Sequence, residues 1–194
     1  MGRSTGLEPA TPGTTNRCSN QLSYDRHEAP SEASLRRPRH LRTHPEEGKQ
    51  SGMNPTIVTF GYPDSLVKDF DHWVVLVRPD QVTLGSLVLA AKSEAAAFGA
   101  LPPAAFAELA EIVPAVERAL RAFCAYEKIN YLMLMMVDPN PHFHVIPRYS
   151  EMRSWQGIDF PDAGWPKAPQ LGSAVALSPE PLRAMAAELS LNFR

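Results

Sequence analysis

Short apolar runs alternate with polar turns through the middle of the chain, and the first of these runs predict β-strands. Residues 72–78 form a β-branched run that Pro79 and Asp80 stop, and residues 84–90 form a second apolar run. Runs of this length and composition, bounded by turn residues, are typical of strands. The short polar connection between the two runs predicts an antiparallel hairpin, and residues 56–60 predict a further short strand upstream.

A helical period replaces the strand pattern in residues 95–126. Apolar residues recur there at helical steps, which places them on one face of a helix. They are Phe106, Leu109, Val113, Val116, Leu120 and Phe123. Pro102 and Pro103 suit the first turn of such a helix. Pro114 removes one backbone donor and crowds the carbonyl group of Ala110, so it predicts a kink or a break.

The most apolar run of the chain, residues 131–137, follows the helix and predicts a core strand. Its methionines indicate core packing rather than a cofactor-binding motif. A tight turn at residues 138–141 joins this run to a second strand-like segment that ends at Arg148. Residues 151–172 are rich in Pro and predict a loop, after which Ser178 predicts the N-cap of a short amphipathic helix.

Strand, strand, long helix, strand, strand and short helix is the element order of an α+β protein. We therefore predict one antiparallel sheet whose apolar face packs on the long helix, with a C-terminal loop and a short final helix. The other face of the sheet is then free to carry functional side chains.

The first 52 residues differ from the rest, because they are rich in Ser, Thr, Pro, Arg and Glu and show no apolar period. Such a segment cannot bury enough apolar surface to offset its ordering entropy. We predict a disordered extension over residues 1–52 and a folded domain over residues 53–194. The extension also resembles translated upstream sequence, so Met53 is a natural alternative to Met1 as the true start.

The predicted domain is mildly acidic. The whole chain has 19 Lys and Arg against 21 Asp and Glu, and residues 53–194 hold 11 against 15, which gives a charge of −4. A nucleic-acid polymer needs surplus cations, so it is not an expected partner. No apolar run reaches the ~18–20 residues of a membrane span. Cys18 and Cys124 form no disulfide or metal pattern, and Cys124 fits a buried thiol. We expect a soluble, cytoplasmic protein.

The candidate chemistry lies in His142 and His144, two residues apart in the last predicted strand. Alternate side chains of a strand point to the same face, so the two imidazoles should stand ~6–7 Å apart, while Phe143 and Val145 point toward a core. Imidazole attacks phosphorus well when it is neutral and held in one tautomer. A second donor beside it can stabilise phosphoryl oxygens or protonate a leaving group. A purely structural pair is the alternative interpretation.

Residues 139–148, Pro-Asn-Pro-His-Phe-His-Val-Ile-Pro-Arg, resemble the signature of the histidine triad (HIT) superfamily. That signature has three histidines separated by single apolar residues, commonly followed by two apolar residues and Pro-Arg. The order of hairpin, long helix and strand is also similar, and residues 81–88 resemble the family's second strand. The resemblance makes His142 the nucleophile that carries a nucleotidyl group and His144 a phosphate contact. Asn140 replaces the first histidine, and the family's Gly- and Gln-containing phosphate loop is missing.

The resemblance also implies substrate-binding roles for Asn140, Arg148 and Gln81. Asn140 can orient His142 through its backbone carbonyl group and can donate its amide to a phosphate oxygen. Arg148 is either a salt-bridged strand end or a phosphate contact. The implied activity is hydrolysis or nucleotidyl transfer at the α-phosphate of a nucleotide conjugate, such as a dinucleoside polyphosphate or a nucleoside phosphoramidate. No metal or other cofactor is implied, and the expected assembly is a homodimer with sheets joined edge to edge.

Two other functions stay open at this point. The chain can be a non-catalytic nucleotide-binding or regulatory module that keeps the fold without turnover. It can also be a metal-binding protein in which Asp138 or His72 joins the two histidines, although zinc needs three or four ligands. Trp155 and Trp165 either pack the C-terminal loop onto the body or form a lid over the substrate.

Overall fold

A computed structural model describes residues 53–193, and the predicted extension, residues 1–52, lies outside them. The described helices are α1 Pro55–Thr59, α2 Pro103–Cys124 and α3 Pro179–Ser190, with 3₁₀ turns at Phe98–Ala100 and Leu171–Ser173. The described strands are β1 Leu66–Asp69, β2 Trp73–Val77, β3 Asp80–Gln81, β4 Leu87–Ala91, β5 Lys128–Leu132, β6 His142–Arg148, β7 Arg153–Trp155, β8 Ile158–Phe160 and β9 Val175–Ala176.

Five of these strands form one antiparallel sheet in the order β1-β2-β4-β6-β5. The predicted α+β class is therefore confirmed. The predicted hairpin is also confirmed, since β2 and β4 pair from Trp73 opposite Ala91 to Val77 opposite Leu87. Every residue of both strands is buried. Both faces of the sheet are covered at this point, which explains why the two runs are continuously apolar instead of alternating.

The sheet has two differently covered faces. One face joins a large core with α2 and α3, to which it contributes Val75, Leu87, Leu89 and Val145. The other face contributes Val74, Leu76, Val88 and Ala90 to a smaller cluster that Ile57 and Phe60 close from above. His142 lies opposite Ala90 and His144 opposite Val88. We call this second side the histidine face.

The tight end of the β2–β4 hairpin packs directly on the last turn of α2. Gly85 has a φ of +81°, and a Cβ atom there would lie 3.2 Å from the Sγ atom of Cys124. Glycine therefore serves both the left-handed turn and the close approach. Cys124 is buried as predicted, and its burial raises the pKa of the thiol to about 11, so it stays protonated and unreactive.

Helix α2 begins later than predicted and continues through Pro114, so a break at this proline is wrong. Pro114 and Ala110 both lie on the exposed side of the helix. The carbonyl group that loses its intrahelical donor can therefore be solvated, and the missing bond costs little. The buried face includes Val116 and Leu120 of the predicted stripe and adds Ile112, whereas the predicted Phe106 is 37% exposed.

The strand predicted at residues 56–60 is wrong, because this segment forms helix α1. Asn54 caps the helix by accepting a hydrogen bond from the backbone N–H group of Ile57 at 3.1 Å. Its side-chain amide donates to the carbonyl groups of Ala91 at 2.7 Å and Ser93 at 2.9 Å. An Asn N-cap followed by Pro is a helix start signal that outweighs the β-branched composition here.

The core strand predicted at residues 131–137 is also wrong beyond Leu132, where β5 ends. Met136 is 93% exposed and Val137 is 90% exposed. The last paired residue, Leu132, lies opposite His144, so residues 135–137 would lie opposite the Pro139–Pro141 turn. Proline offers no backbone donor to a strand ladder, and the apolar run therefore leaves the sheet.

The C-terminal region contains more structure than the predicted loop. β7 and β8 form a hairpin within it, and the final helix is present as α3, as predicted. None of the helices in residues 53–193 is both long enough and apolar enough to span a bilayer.

Candidate active site

The two histidines stand side by side on β6. Their ring centroids are 5.0 Å apart and their planes are nearly perpendicular, at 86°. Because β6 lies between β4 and β5, His144 is paired on both sides, and His142 is paired with Ala90 of β4. The alternation of the strand therefore places both imidazoles on the histidine face, as the spacing predicts.

A single hydrogen bond defines the tautomer of His142. Its Nδ1 atom lies 2.8 Å from the backbone carbonyl oxygen of Asn140. A carbonyl oxygen only accepts, so Nδ1 carries the proton and donates it. Nε2 then keeps its lone pair, and this buried atom has no hydrogen-bond partner among the described residues. A buried polar atom without a partner needs a ligand or a catalytic explanation.

Asn140 is itself held by Thr56 of helix α1. The Thr56 hydroxyl group donates to the side-chain oxygen of Asn140 at 3.0 Å and accepts the Asn140 backbone N–H group at 3.3 Å. The Asn140 amide nitrogen donates to the carbonyl group of Ala95 at 3.2 Å. One of the two amide hydrogens is therefore engaged with neighbouring backbone, and the predicted use of this amide as a phosphate donor stays a prediction. Thr56 was not identified from the sequence, since its partner lies 84 residues away.

Phe60, at the end of helix α1, covers both imidazoles. Its ring centroid lies 5.4 Å from that of His142 and 5.6 Å from that of His144. His142 is 0% exposed and His144 is 6% exposed. A phosphorus atom can therefore reach Nε2 of His142 only if the Phe60 side chain moves aside. Rotation of one aromatic side chain is a modest rearrangement compared with the opening of a packed core.

His144 is a neutral imidazole at physiological pH. Burial, the neighbouring His142 and the charge of Arg78 lower its pKa from the ordinary 6.5 to about 4. Its Nδ1 atom is buried and, within residues 53–193, has no hydrogen-bond partner. A neutral imidazole has one N–H donor and one acceptor, and both are suited to contact a phosphoryl group or a leaving group.

This lowered pKa gives the stability of the protein a pH dependence of defined sign. The unfolded chain binds the proton on this residue more tightly, so the free energy of unfolding falls as the pH decreases from 6.5 toward about 4. One proton contributes at most ~1.4 kcal/mol per pH unit. We expect urea denaturation to show this decrease in the free energy of unfolding at low pH. The decrease should be smaller in the variant His144→Gln. An unchanged slope in His144→Gln, matching the control His72→Gln, would contradict the assignment.

Arg78 is a cation near the histidines that the sequence analysis overlooked. Its backbone N–H group donates to Ser86 at 3.0 Å, which continues the β2–β4 pairing and turns its side chain to the histidine face. The guanidinium group donates to the carbonyl group of Asp80, and its Nε atom is buried with no partner in the described part of the chain. Burial lowers the pKa of Arg78, yet a guanidinium group stays charged. This charge favours an anionic ligand beside His144.

Arg148 is not brought to the histidines, and its predicted role as a substrate contact stays a prediction. It lies six residues beyond His142, which is ~20 Å along an extended strand. Its guanidinium group donates to both carboxylate oxygens of Asp162 at 2.6 and 3.0 Å. Further bonds reach the side-chain oxygen of Asn130 and the backbone carbonyl group of Lys167, both at 2.8 Å. Of the two alternatives for Arg148, the structure shows the salt-bridged strand end.

Gln81 lies within the hairpin turn, and its predicted role in substrate binding stays a prediction. The residue is completely buried. Its side-chain amide donates to the carbonyl groups of Arg78 at 2.5 Å and Ser86 at 2.8 Å, and its side-chain oxygen accepts the N–H group of Ser86 at 2.9 Å. All of these bonds tie the hairpin turn together, so both amide hydrogens of Gln81 are already engaged with the backbone.

The metal-binding alternative finds no support in the described residues. No three His, Cys, Asp or Glu side chains of residues 53–193 are grouped so that they could hold a metal ion. His72 lies beside a different hollow, which it lines with Asp71, Glu108 and Glu111. The two strand histidines therefore lack the third ligand that zinc requires.

Solved structures similar to this chain are histidine triad proteins. A histidine triad protein from Sinorhizobium meliloti is 22% identical with a TM-score of 0.53, and the match covers 73% of this chain and 99% of that one. A histidine triad protein from Bradyrhizobium japonicum is 22% identical with a TM-score of 0.50, covering 66% and 90%. A hypothetical histidine triad nucleotide-binding protein from Sulfolobus tokodaii is 17% identical with a TM-score of 0.51, covering 71% and 89%.

These similarities establish the fold and confirm the resemblance that residues 139–148 suggest. The chain has the fold of the histidine triad proteins. No family model and no curated protein matches its sequence.

Proposed function

We propose that this protein, which has the histidine triad fold, binds a nucleotide conjugate and attacks its α-phosphate with Nε2 of His142. The observation that carries the proposal is the state of this ring. Its Nδ1–H group is bound to the carbonyl group of Asn140 at 2.8 Å, and its Nε2 atom is buried and unpartnered among the described residues. A structural histidine would be expected to have both ring nitrogens satisfied.

The proposed reaction is a substitution at phosphorus in two steps. The lone pair of Nε2 forms a P–N bond while the bond to the leaving group breaks. A phosphate leaving group departs as an anion, whereas an amine leaving group takes one proton from water as it departs. Water then attacks the nucleotidyl-histidine, gives one proton to solvent and releases the nucleoside monophosphate. The Nδ1–H bond to Asn140 persists throughout, and the carbonyl dipole stabilises the positive charge that develops on the ring.

His144 and Arg78 supply the surroundings that such a reaction needs. A neutral His144 can donate its one N–H group to a phosphoryl oxygen without repelling the attacking ring. The partly buried charge of Arg78 adds an attraction for phosphate oxygens. Asn140 keeps the backbone function of the missing first histidine but cannot itself transfer a proton.

The test is mass spectrometry of the intact protein after incubation with a diadenosine polyphosphate or adenosine 5′-phosphoramidate under acid-free quenching. We expect an adenylyl adduct that peptide mapping places on His142, and no adduct in His142→Gln. An adduct on another residue would refute nucleophilic attack by this residue, and so would the absence of both adduct and hydrolysis when the nucleotide binds and the protein is folded.

A second candidate function is nucleotide binding without turnover. Asn140 in the first position and the Phe60 ring over both imidazoles favour it. Saturable nucleotide binding combined with the absence of both adduct and hydrolysis would establish nucleotide binding without turnover as the function. Adduct formation by the wild-type protein would exclude it.

A homodimer is the proposed assembly, joined at the edge of the sheet. In residues 53–193, β5 pairs only with β6, so one side of β5 offers unpaired backbone groups to another strand. We expect sedimentation equilibrium at micromolar concentration to give twice the mass of one chain. A single-chain mass under these conditions would contradict the proposal.

A further inference from the structure

A cavity of about 700 Å³ lies on the histidine face at the sheet edge. Its floor is formed by Lys128, Asn130 and Leu132 of β5, which share a face by alternation, and by Arg148. Its wall is a loop that begins at Trp165 and includes Lys167. This volume is within the range of ~300–1,000 Å³ found for small-molecule sites.

The wall of this cavity is attached firmly to the sheet. Arg148 donates to Asp162 through two bonds and to the carbonyl group of Lys167, so both ends of the loop are tied to β6. Asp162 also accepts the backbone N–H groups of Tyr149 and Gly164. A Cβ atom at Gly164 would lie 2.3 Å from the carbonyl oxygen of Ala168, so the loop is tightly folded. Trp165 is therefore part of a preformed wall, in contrast to a lid.

The side chains around the cavity suit an aromatic anion. Asn130 uses its side-chain oxygen to accept from Arg148 at 2.8 Å, which leaves its NH₂ group as a donor. Among the described residues, neither Lys128 nor Lys167 takes part in a salt bridge. Residues 53–194 carry a net charge of −4, so two lysines without a salt bridge beside a tryptophan differ from the acidic character of the region as a whole. Trp165 offers a ring on which a base can stack.

The cavity adjoins the histidine pair directly. Leu132, at the end of its floor, lies opposite His144 on the neighbouring strand, and neighbouring strands are ~4.8 Å apart. On the other side of the histidines, Phe60 and Ile57 already cover Val88 and Ala90. A ligand whose phosphorus lies at His142 can therefore extend toward β5 and into the cavity.

We propose that this cavity is a nucleotide-binding subsite, in which Trp165 stacks on the base and Lys128 and Lys167 contact the phosphates. The choice of a nucleotide rests on the proposed function, whereas the preference for an aromatic anion rests on the cavity itself. The subsite selects conjugates in which the group beyond the cleaved bond is anionic and aromatic, in preference to those with a small amine.

The experiment is titration of the full-length protein with ADP, followed by calorimetry and by tryptophan fluorescence. We expect the double variant Lys128→Gln/Lys167→Gln to bind ADP at least about tenfold more weakly, because two charge-assisted bonds are lost. The single variant Lys167→Gln should weaken binding measurably, while Lys68→Gln, an exposed lysine on β1 at the opposite edge, should not. Stacking of the adenine on Trp165 should quench tryptophan fluorescence in the wild-type protein. Trp165→Ala should weaken binding by about tenfold. Trp165→Phe should restore the affinity for ADP while removing the quenching.

Equal ADP affinity in the double lysine variant and in Lys68→Gln would overturn the subsite. So would a quench that persists in Trp165→Phe. The two proposals fail separately: ADP binding that depends on the lysines without any adduct on His142 removes the catalytic function and keeps the subsite. An adduct on His142 together with ADP binding that does not depend on the lysines removes the subsite and keeps the catalytic function.

Discussion

Replacement of His142 by glutamine is expected to reduce hydrolysis of an adenosine conjugate by at least about 10⁴-fold, because it removes the nucleophile itself. Glutamine is close in size and can still donate to the carbonyl group of Asn140, so the packing beneath Phe60 should be preserved. The measurement is kcat/KM for a diadenosine polyphosphate, together with the unfolding midpoint of each variant.

Two matched variants make this result specific. His72→Gln alters a histidine outside the site and should leave kcat/KM within about twofold of the wild-type value. His144→Gln keeps a donor but loses the imidazole, and we expect an intermediate loss of about 10²–10³-fold, typical of removing a transition-state contact. Equal activity in His142→Gln and His72→Gln, with both proteins folded, would show that His142 is not the nucleophile.

Replacement of Arg148 by methionine is expected to lower the free energy of unfolding by about 3–5 kcal/mol, which is the usual result of breaking a buried ion pair. The side chains of Arg148 and Asp162 are only 5% and 2% exposed. Methionine therefore leaves a buried carboxylate without its cation, and it also frees the loop that carries Trp165. Urea denaturation monitored by circular dichroism measures the change.

The chain provides its own control in the ion pair between Arg183 and Asp64. Its side chains are 53% and 51% exposed, and exposed pairs contribute only about 0–1 kcal/mol. Arg183→Met should therefore shift stability far less than Arg148→Met. The double variant Arg148→Met/Asp162→Leu should recover part of the loss, because it removes the unpaired charge as well. Equal shifts for Arg148→Met and Arg183→Met would contradict a structural role for Arg148.

The features that the sequence predicts correctly depend on local periods. His142 and His144 share a face because a strand repeats every two residues, and this needs no knowledge of the rest of the chain. The β2–β4 hairpin follows from two apolar runs and the turn between them. The buried thiol of Cys124 follows from its place in the helical pattern.

The features that the sequence does not predict depend on distant partners. The bond between Thr56 and Asn140 joins residues 84 positions apart, and it determines whether Asn140 faces a substrate or anchors helix α1. The exposure of Met136 and Val137 depends on where β5 stops pairing with β6, which no local composition reveals. Arg78 could have been identified by extending the strand alternation one residue past Val77, but its proximity to His144 required the strand order.

The most direct test of the central claim is a crystal structure of the protein with bound AMP. We predict the phosphorus atom at roughly 3–3.5 Å from Nε2 of His142, in line for attack, with the Phe60 ring displaced and the Nδ1 bond to Asn140 intact. AMP bound while Phe60 still covers the two imidazoles, with the phosphate far from Nε2, would contradict the claim.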